Sequence, residues 1–426
     1  MFNSTVSAAH SISGSASVPP SAVPTTTATS SATAGASYPA MLAFPEPIPH
    51  FIGRDRELQM IDRFIEQGIN VIELTDPLNK IGMGKTALAI QAVHRLTPRY
   101  PDCQLYANLH GQDAFPAQAR DVLQEWLVLE FNLDPRRLPQ RVSELQALYQ
   151  EQLSGKPTIV LLDNVTSLKQ IQPLLTFAKT QSVDRYVILI TSRKPVLPVD
   201  QGKTLFVDEL SASSSIDLLT SHLQPPSPID PTSDEAILRT IEHPSHKALE
   251  QLIKLADGSP FILHLMGRLL SRQSDATYAD TLMLTVEKLK RQYQEKMAEP
   301  QAQIMACFNA VYQTLEAADR DLLSRLSVLY GAQFNAPLAA HLSGAEDLAV
   351  MEARLANLHQ QGWLTTMPNV IHGSRSPEYM MPEIARTFLW RKVTSDARRT
   401  LVTWALAWQD QDRNEIDRRM LEAEAA

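Results

Sequence analysis

The chain has 426 residues, 44% of them hydrophobic and 20% charged, with 39 Lys+Arg against 47 Asp+Glu for a net charge of -8. At roughly 150 residues per domain this length implies about two to four domains, and the acidic balance offers no global attraction for nucleic acid or an anionic membrane. No apolar run approaches the roughly 18 residues of a membrane helix, and Cys103 and Cys307, too far apart to form a metal-ligand pair, fit a reducing cytoplasm better than a disulfide-stapled secreted scaffold.

Residues 1–45 contain no Asp, Glu, Lys or Arg and are dominated by Ser, Thr, Ala and Pro. Such a segment buries too little apolar surface to offset its ordering entropy, so it is predicted to be a disordered spacer. It lacks the basic start and continuous apolar stretch of a signal peptide. From residue 46, Leu58, Ile61 and Ile65 recur at helical intervals until Gly68 ends the helix. Strands are predicted at Asn70–Thr75, Cys103–Leu109, Pro157–Asp163, Tyr186–Ser192 and Thr204–Val207. Between the early strands lie the helical patterns IGMGKTALAIQAVHRL, ARDVLQEWLVLEF and VSELQALYQEQL. Strands alternating with helices imply an α/β fold with a parallel, doubly wound sheet over 46–210.

After Leu210 the pattern is helical only. Residues 211–300 read as a small helical bundle, with a Pro-rich break at QPPSPIDPTSD. Residues 301–393 carry the helices ACFNAVYQTL, AADRDLLSRLSVL and EDLAVMEARLANLHQQG, then the short strand candidates WLTTM and EYMMP. Helices followed by a two-stranded wing describe a winged-helix module. Residues 394–426 are predicted to form one more helix. No repeat with a 20–50 residue period occurs, which removes a solenoid.

The strongest chemical signal is Asn79-Lys80-Ile81-Gly82-Met83-Gly84-Lys85-Thr86, placed after a strand and opening a helix. That context matches a phosphate loop, in which backbone N–H groups and the helix dipole face the anion. Gly82 and Gly84 permit close approach, Lys85 meets the terminal phosphates, and Thr86 offers its hydroxyl to Mg²⁺, with Ala87 following in the same binding run. The first glycine of the usual motif is replaced by Asn79, which tolerates left-handed backbone better than most residues. Asp163, closing TIVLLD, fits an outer-shell Mg²⁺ ligand, a role shared between it and Thr86. The next position, where many hydrolysing enzymes keep a second acid, is Asn164. This weakens rapid hydrolysis without affecting binding, and an acid restored there is expected to raise the rate. Arg193, leaving VILITS beside the Mg²⁺ strand, is placed to reach a γ-phosphate.

The order of these motifs resembles the NB-ARC branch of the signal-transduction ATPases with numerous domains (STAND). PHFIGRDREL is similar to the family's F-[VI]-G-R-x-x-E-L segment, which implies that Phe51, Ile52 and Arg54 flank the adenine. PDCQLYANLHG and IVLLDNVTSLKQIQPLL resemble bacterial regulator-type members. LADGSPFILHLMGRLL resembles the G-L-P-L segment and implies that Pro260 lies over the base. Met381-Pro382-Glu383 falls where the family has Met-His-Asp. Pro382 lacks the imidazole that would contact an ADP β-phosphate, so ADP should stabilise the closed form less than in relatives.

The resemblance implies a switch that binds ATP or ADP with Mg²⁺, closed with ADP and opened with ATP for assembly into a homo-oligomer, with slow hydrolysis. With no effector or repeat sensor domain recognised in the sequence, it implies either a truncated member or one that works with separately encoded effector or sensor partners. A non-hydrolysing nucleotide-binding scaffold is the alternative. A winged-helix transcriptional regulator is disfavoured, because the candidate recognition helix over Glu346–Gln361 carries Glu346, Asp347 and Glu352 against Arg354 alone. His94, His110 and His264 show no metal spacing. Trp404 and Trp408, four apart, are expected to pack on the winged-helix module.

Overall fold

Strands rich in Val, Ile and Leu on both faces are stable only when helices cover both sides of the sheet. The computed structural model describes residues 44–48, 51–76, 82–111, 116–222, 245–271, 278–294, 299–329, 333–367 and 377–408. Within them β1 (Val71–Thr75), β2 (Cys103–Asn108), β3 (Thr158–Val165), β4 (Tyr186–Ser192) and β5 (Lys203–Phe206) form one sheet. Its order is β2-β3-β4-β1-β5 and all pairings are parallel. Helices α1 (Asp55–Glu66) and α2 (Lys85–Leu96) cover one face. The other is covered by α3 (Ala119–Leu129), α4 (Val142–Leu153) and α5 (Leu168–Leu175).

Side chains alternate between these two cores along each strand, as a period of two requires. In β3, Ile159 and Leu161 enter the α1–α2 core while Val160 and Leu162 enter the opposite one. The parity carries on to the polar end of the strand. Asp163 projects toward α2, as its bond to Thr86 shows. The strand also runs two residues past its predicted end, through a register shift at Asn164, whose φ is 57°.

A third core gathers α6 (Ala212–Thr220), α7 (Ser245–Ala256), α8 (Pro260–Ser271), α9 (Tyr278–Gln294), α10 (Glu299–Gln313), α11 (Ala317–Leu326), α12 (Ala336–Ser343) and α13 (Leu348–Gln360). The antiparallel ribbon of β6 (Thr365–Met367) and β7 (Glu378–Met380) follows, then α14 (Glu383–Trp390) and the helical residues 395–408. Met266 on α8 and Phe308 on α10 belong to this one core, so the packing runs across residue 300. At its centre Phe308 meets Trp363 at 5.1 Å and Phe388 at 4.3 Å between ring centroids. The sequence did not announce α12 or α14, which at eight residues each are too short for a periodic pattern to stand out. Trp404 and Trp408 both face the His341 ring on α12. The tail from 1 to 43 and the chain beyond 408 lie outside the described residues.

Candidate phosphate-binding site

The strand β1 delivers the chain to the N-terminus of α2, where free N–H groups and the helix dipole favour an anion. Gly82 and Gly84 both have φ of 81°, a left-handed geometry that glycine adopts at no steric cost. Lys85 and Thr86 open the helix, and Ala87 is half-buried in its first turn. Asn79 lies outside the described residues. Burial pushes the Lys85 ammonium below its ordinary pKa, Asp76 being the strongest opposing charge, with Glu383 and Asp163 also raising it and Arg193 lowering it. One cation thus stands among three carboxylates and a guanidinium.

Asp163 sits at the carboxyl end of β3 and is buried. Its Oδ1 accepts from the Thr86 hydroxyl at 2.8 Å and from the Thr191 hydroxyl on β4. The β4 strand lies between β1 and β3, so Thr191 faces the same side as Asp163 by the same alternation. Burial pushes the Asp163 carboxyl up, partly offset by the hydrogen bonds from Thr191 and Thr86. Paired hydroxyl and carboxylate oxygens at the start of a phosphate-facing helix are the hard donor set Mg²⁺ takes alongside phosphate oxygens and water. The residues present fit that ion. Among the described residues no cluster of three or more His, Cys, Asp or Glu offers an alternative metal cage.

Asn164 is held by hydrogen bonds from both its side chain and its backbone. Its Nδ2 donates to Asn108 Oδ1 at 3.1 Å and to Asp163 Oδ2 at 3.4 Å, and its backbone N–H donates to Thr191 Oγ1 at 3.0 Å. Its left-handed backbone suits Asn better than most side chains. The neighbouring turn is tied to the same strand end, with Leu109 N donating to Asp163 O and Gly111 N to Asn164 O, each at 2.8 Å. Burial, with the Arg386 charge on α14, pushes the His110 imidazole in that turn down to about 3. Near neutral pH its ring is therefore uncharged. His94 is likewise engaged, with Nε2 2.8 Å from Pro45 O.

The remaining predicted residues fall around the loop in two groups. Arg54 is buried, and its guanidinium donates to Met83 O at 2.9 Å, Asp208 O at 2.8 Å and Glu57 Oε1 at 2.8 Å. Arg54 therefore braces the phosphate loop against the chain leaving β5. Phe51 packs on the α1–α2 core, whereas its neighbour Ile52 packs on the C-terminal core. Pro260 begins α8, and a Cβ on Gly84 would lie 3.5 Å from its ring. Gly82 O accepts from Ser259 Oγ at 3.1 Å and from the backbone N–H of Phe261 at 3.4 Å. A Cβ on Gly82 would stand 2.8 Å from Ser259 Oγ and 3.0 Å from Ile384 Cδ1. Both α8 and α14 thus press on the loop itself.

No family model matches the chain. Over 139 residues it is 32% identical to a regulatory protein AfsR of Streptomyces coelicolor, covering 33% of this chain and 13% of that protein. Over 183 residues it is 30% identical to the AfsR of Streptomyces griseus, covering 43% of this chain and 18% of that one. The chain thus spans under a fifth of the length of the regulators it matches. A crystal structure of a STAND protein with a tetratricopeptide-repeat sensor from Pyrococcus horikoshii superposes with a TM-score of 0.53 at 16% identity. That superposition covers 87% of this chain and 46% of the archaeal one. The chain has the fold of a STAND-class P-loop ATPase.

In this STAND-class fold two further residues, Glu383 and Glu73, stand beside the site through Arg193 and its segment, and the sequence reading assigned neither to it. Arg193, leaving β4, forms an ion pair with Glu383 at the first position of α14. Glu73, fully buried in the middle of β1, accepts from Ser192 Oγ at 2.6 Å, Val196 N at 2.8 Å, Leu197 N at 3.2 Å and Thr204 Oγ1 at 3.1 Å. It holds the segment that carries Arg193. Its sequence signal was a lone acid inside the otherwise apolar VIEL, legible only once its partners are known.

Proposed function

We propose that the chain is a nucleotide-dependent switch of the NB-ARC type, binding ATP or ADP at the loop from Asn79 to Ala87. The observation that carries this reading is the contact of Ser259, Phe261 and Ile384 with Gly82. A ligand in the phosphate loop and the packing of the C-terminal half on that loop meet at the same glycine, so occupancy and packing are coupled. Thr86 and Asp163 would hold Mg²⁺, which neutralises phosphate charge when bound. Arg193 would read a third phosphate. Phe51, Ile52, Arg54 and Pro260 frame the base side, with Arg54 acting through the loop carbonyl it grips.

Residues 46–210, 211–300, 301–393 and 394–426 are the proposed moving parts, the third of them a winged-helix module. The signalling reading draws on the regulatory relatives and implies effector or sensor partners and an ATP-driven homo-oligomer. Nucleic acid is disfavoured as a partner of α13. Asp347 caps that helix through Ala349 and Val350 N–H, and its Arg354 is paired with Asp319 at 3.3 Å. Among the described residues no helix is long and apolar enough to cross a membrane, and a cytoplasmic location is proposed.

Hydrolysis should be slow, because Asn164 is occupied in positioning Asp163. Calorimetric titration with Mg²⁺·ADP and Mg²⁺·ATP, alongside single-turnover hydrolysis, is expected to show tight binding and a rate well below the enzyme median of about 10 s⁻¹. No binding of either nucleotide would overturn the reading, and binding with no hydrolysis at all would leave the scaffold. The geometry also revises what an acid at position 164 should do. Asn164→Asp replaces a donor to two oxygens by a carboxylate facing them. It is expected to lose about 1–2 kcal/mol of stability in urea denaturation with no gain in turnover.

A further inference from the structure

Tyr106 lies on β2, the strand beside β3, and is fully buried. In the parallel register it stands next to Leu161, and Asn108 stands next to Asp163. Tyr106 and Leu161 both enter the α1–α2 core, the face toward which Asp163 also projects. Two residues of strand advance about 6.5 Å, a distance that an aromatic side chain can cover to reach its diagonal neighbour. Trp126 Nε1 on α3 donates to the Tyr106 carbonyl at 3.1 Å and pins its backbone from the other side of the sheet. The Tyr106 hydroxyl is shut off from solvent and has no hydrogen-bond partner among the described residues. Burial pushes the phenol well above its ordinary pKa, and the carboxylate that adds to this push is Asp163. Asp163 itself is unevenly used. Its Oδ1 accepts from the Thr86 and Thr191 hydroxyls, whereas Oδ2 has a 3.4 Å contact from Asn164 Nδ2. A buried donor without an acceptor opposes folding, so its presence calls for a state in which the hydroxyl is used.

Resting on the nucleotide-switch reading, we propose that Tyr106 is a positioning residue whose phenol hydroxyl donates to Asp163 when the site holds Mg²⁺ and fixes that carboxylate for the ion. Thr86 serves Asp163 in this structure, yet its hydroxyl oxygen is also the atom offered to Mg²⁺. Thr86 opens the helix that follows the phosphate loop and so moves with whatever the loop binds. Tyr106 instead comes from a strand held on both faces. Carboxylates that serve a bound metal are held in turn by such outer hydrogen bonds, which set their orientation. The under-used Oδ2 can accept one more donor. A phenylalanine would fill the same space in the core, so the hydroxyl, and not the ring, carries this role.

The test is Tyr106→Phe in the full chain. Dissociation constants for ADP and for a non-hydrolysable ATP analogue are measured by calorimetry in Mg²⁺ and in EDTA, alongside urea denaturation of the ligand-free protein. Mg²⁺ is expected to tighten both nucleotides in the wild type. In Tyr106→Phe that tightening should fall about tenfold or vanish, while the affinities in EDTA and the ligand-free urea midpoint hold or rise. A purely structural hydroxyl would lower the ligand-free midpoint and weaken the nucleotides equally with and without Mg²⁺. That result overturns the inference, as does a Mg²⁺ effect equal to the wild type's. A variant that fails to fold overturns it too, because the phenol would then have its partner in the free protein. A wild type that binds nucleotide but is indifferent to Mg²⁺ removes the inference and leaves the phosphate site standing. A wild type that binds neither nucleotide removes both.

Discussion

Lys85→Ala is expected to weaken ATP binding about ten- to hundredfold in calorimetry, the largest single effect on affinity at this site. The size follows from the company Lys85 keeps. Asp76, Asp163 and Glu383 all bear on its ammonium, so its removal leaves three carboxylates facing the incoming phosphates with one cation fewer. Lys85→Arg keeps the charge but replaces a compact ammonium by a planar fork at a crowded helix start, and should recover only part of the loss. An unchanged affinity in Lys85→Ala would mean that the phosphates bind away from α2.

Glu73→Ala is expected to be the most destabilising change in the α/β half, costing about 3–5 kcal/mol in urea denaturation. Four donors converge on this carboxylate, from Ser192, Val196, Leu197 and Thr204, and two of them are backbone N–H groups with no freedom to turn elsewhere. The two hydroxyls can rotate and a water can enter the polar cavity, which keeps the cost below the sum of four lost bonds. Glu73→Gln preserves shape and one accepting oxygen and should lose about half as much. Because the freed segment carries Arg193, Glu73→Gln should also reduce discrimination between ATP and ADP in whatever fraction remains folded. Stability equal to the wild type in Glu73→Ala would show that the segment from 193 to 197 is held by other contacts.

The phosphate loop, the five strands and the helix α2 were legible in the sequence for local reasons. Buried parallel strands need continuous runs of aliphatic residues, as in TIVLLD and YVILIT, and a phosphate loop needs Gly and Lys at fixed spacing before a helix. Asp163 was legible for the same reason, since a strand's end is a local feature. The strand order was not. That β4 inserts between β1 and β3, and thereby brings Thr191 onto Asp163, is decided by which edges pair across more than a hundred residues. The roles of the polar residues around the site were likewise tertiary. Asn164 read locally as a missing acid, but it is a donor held by Asn108 in a left-handed turn. The resemblance placed Arg54 beside the adenine, and the backbone carbonyls that its guanidinium engages are partners no local pattern gives. Arg193 read as an arginine awaiting phosphate, and the residue it meets lies on an eight-residue helix too short to show in the pattern. Composition and periodicity act over about ten residues, which is enough to specify strands, helices and the loop between them. The partner of a buried charge is chosen by the whole fold, because only packing decides which distant side chain reaches it before water does.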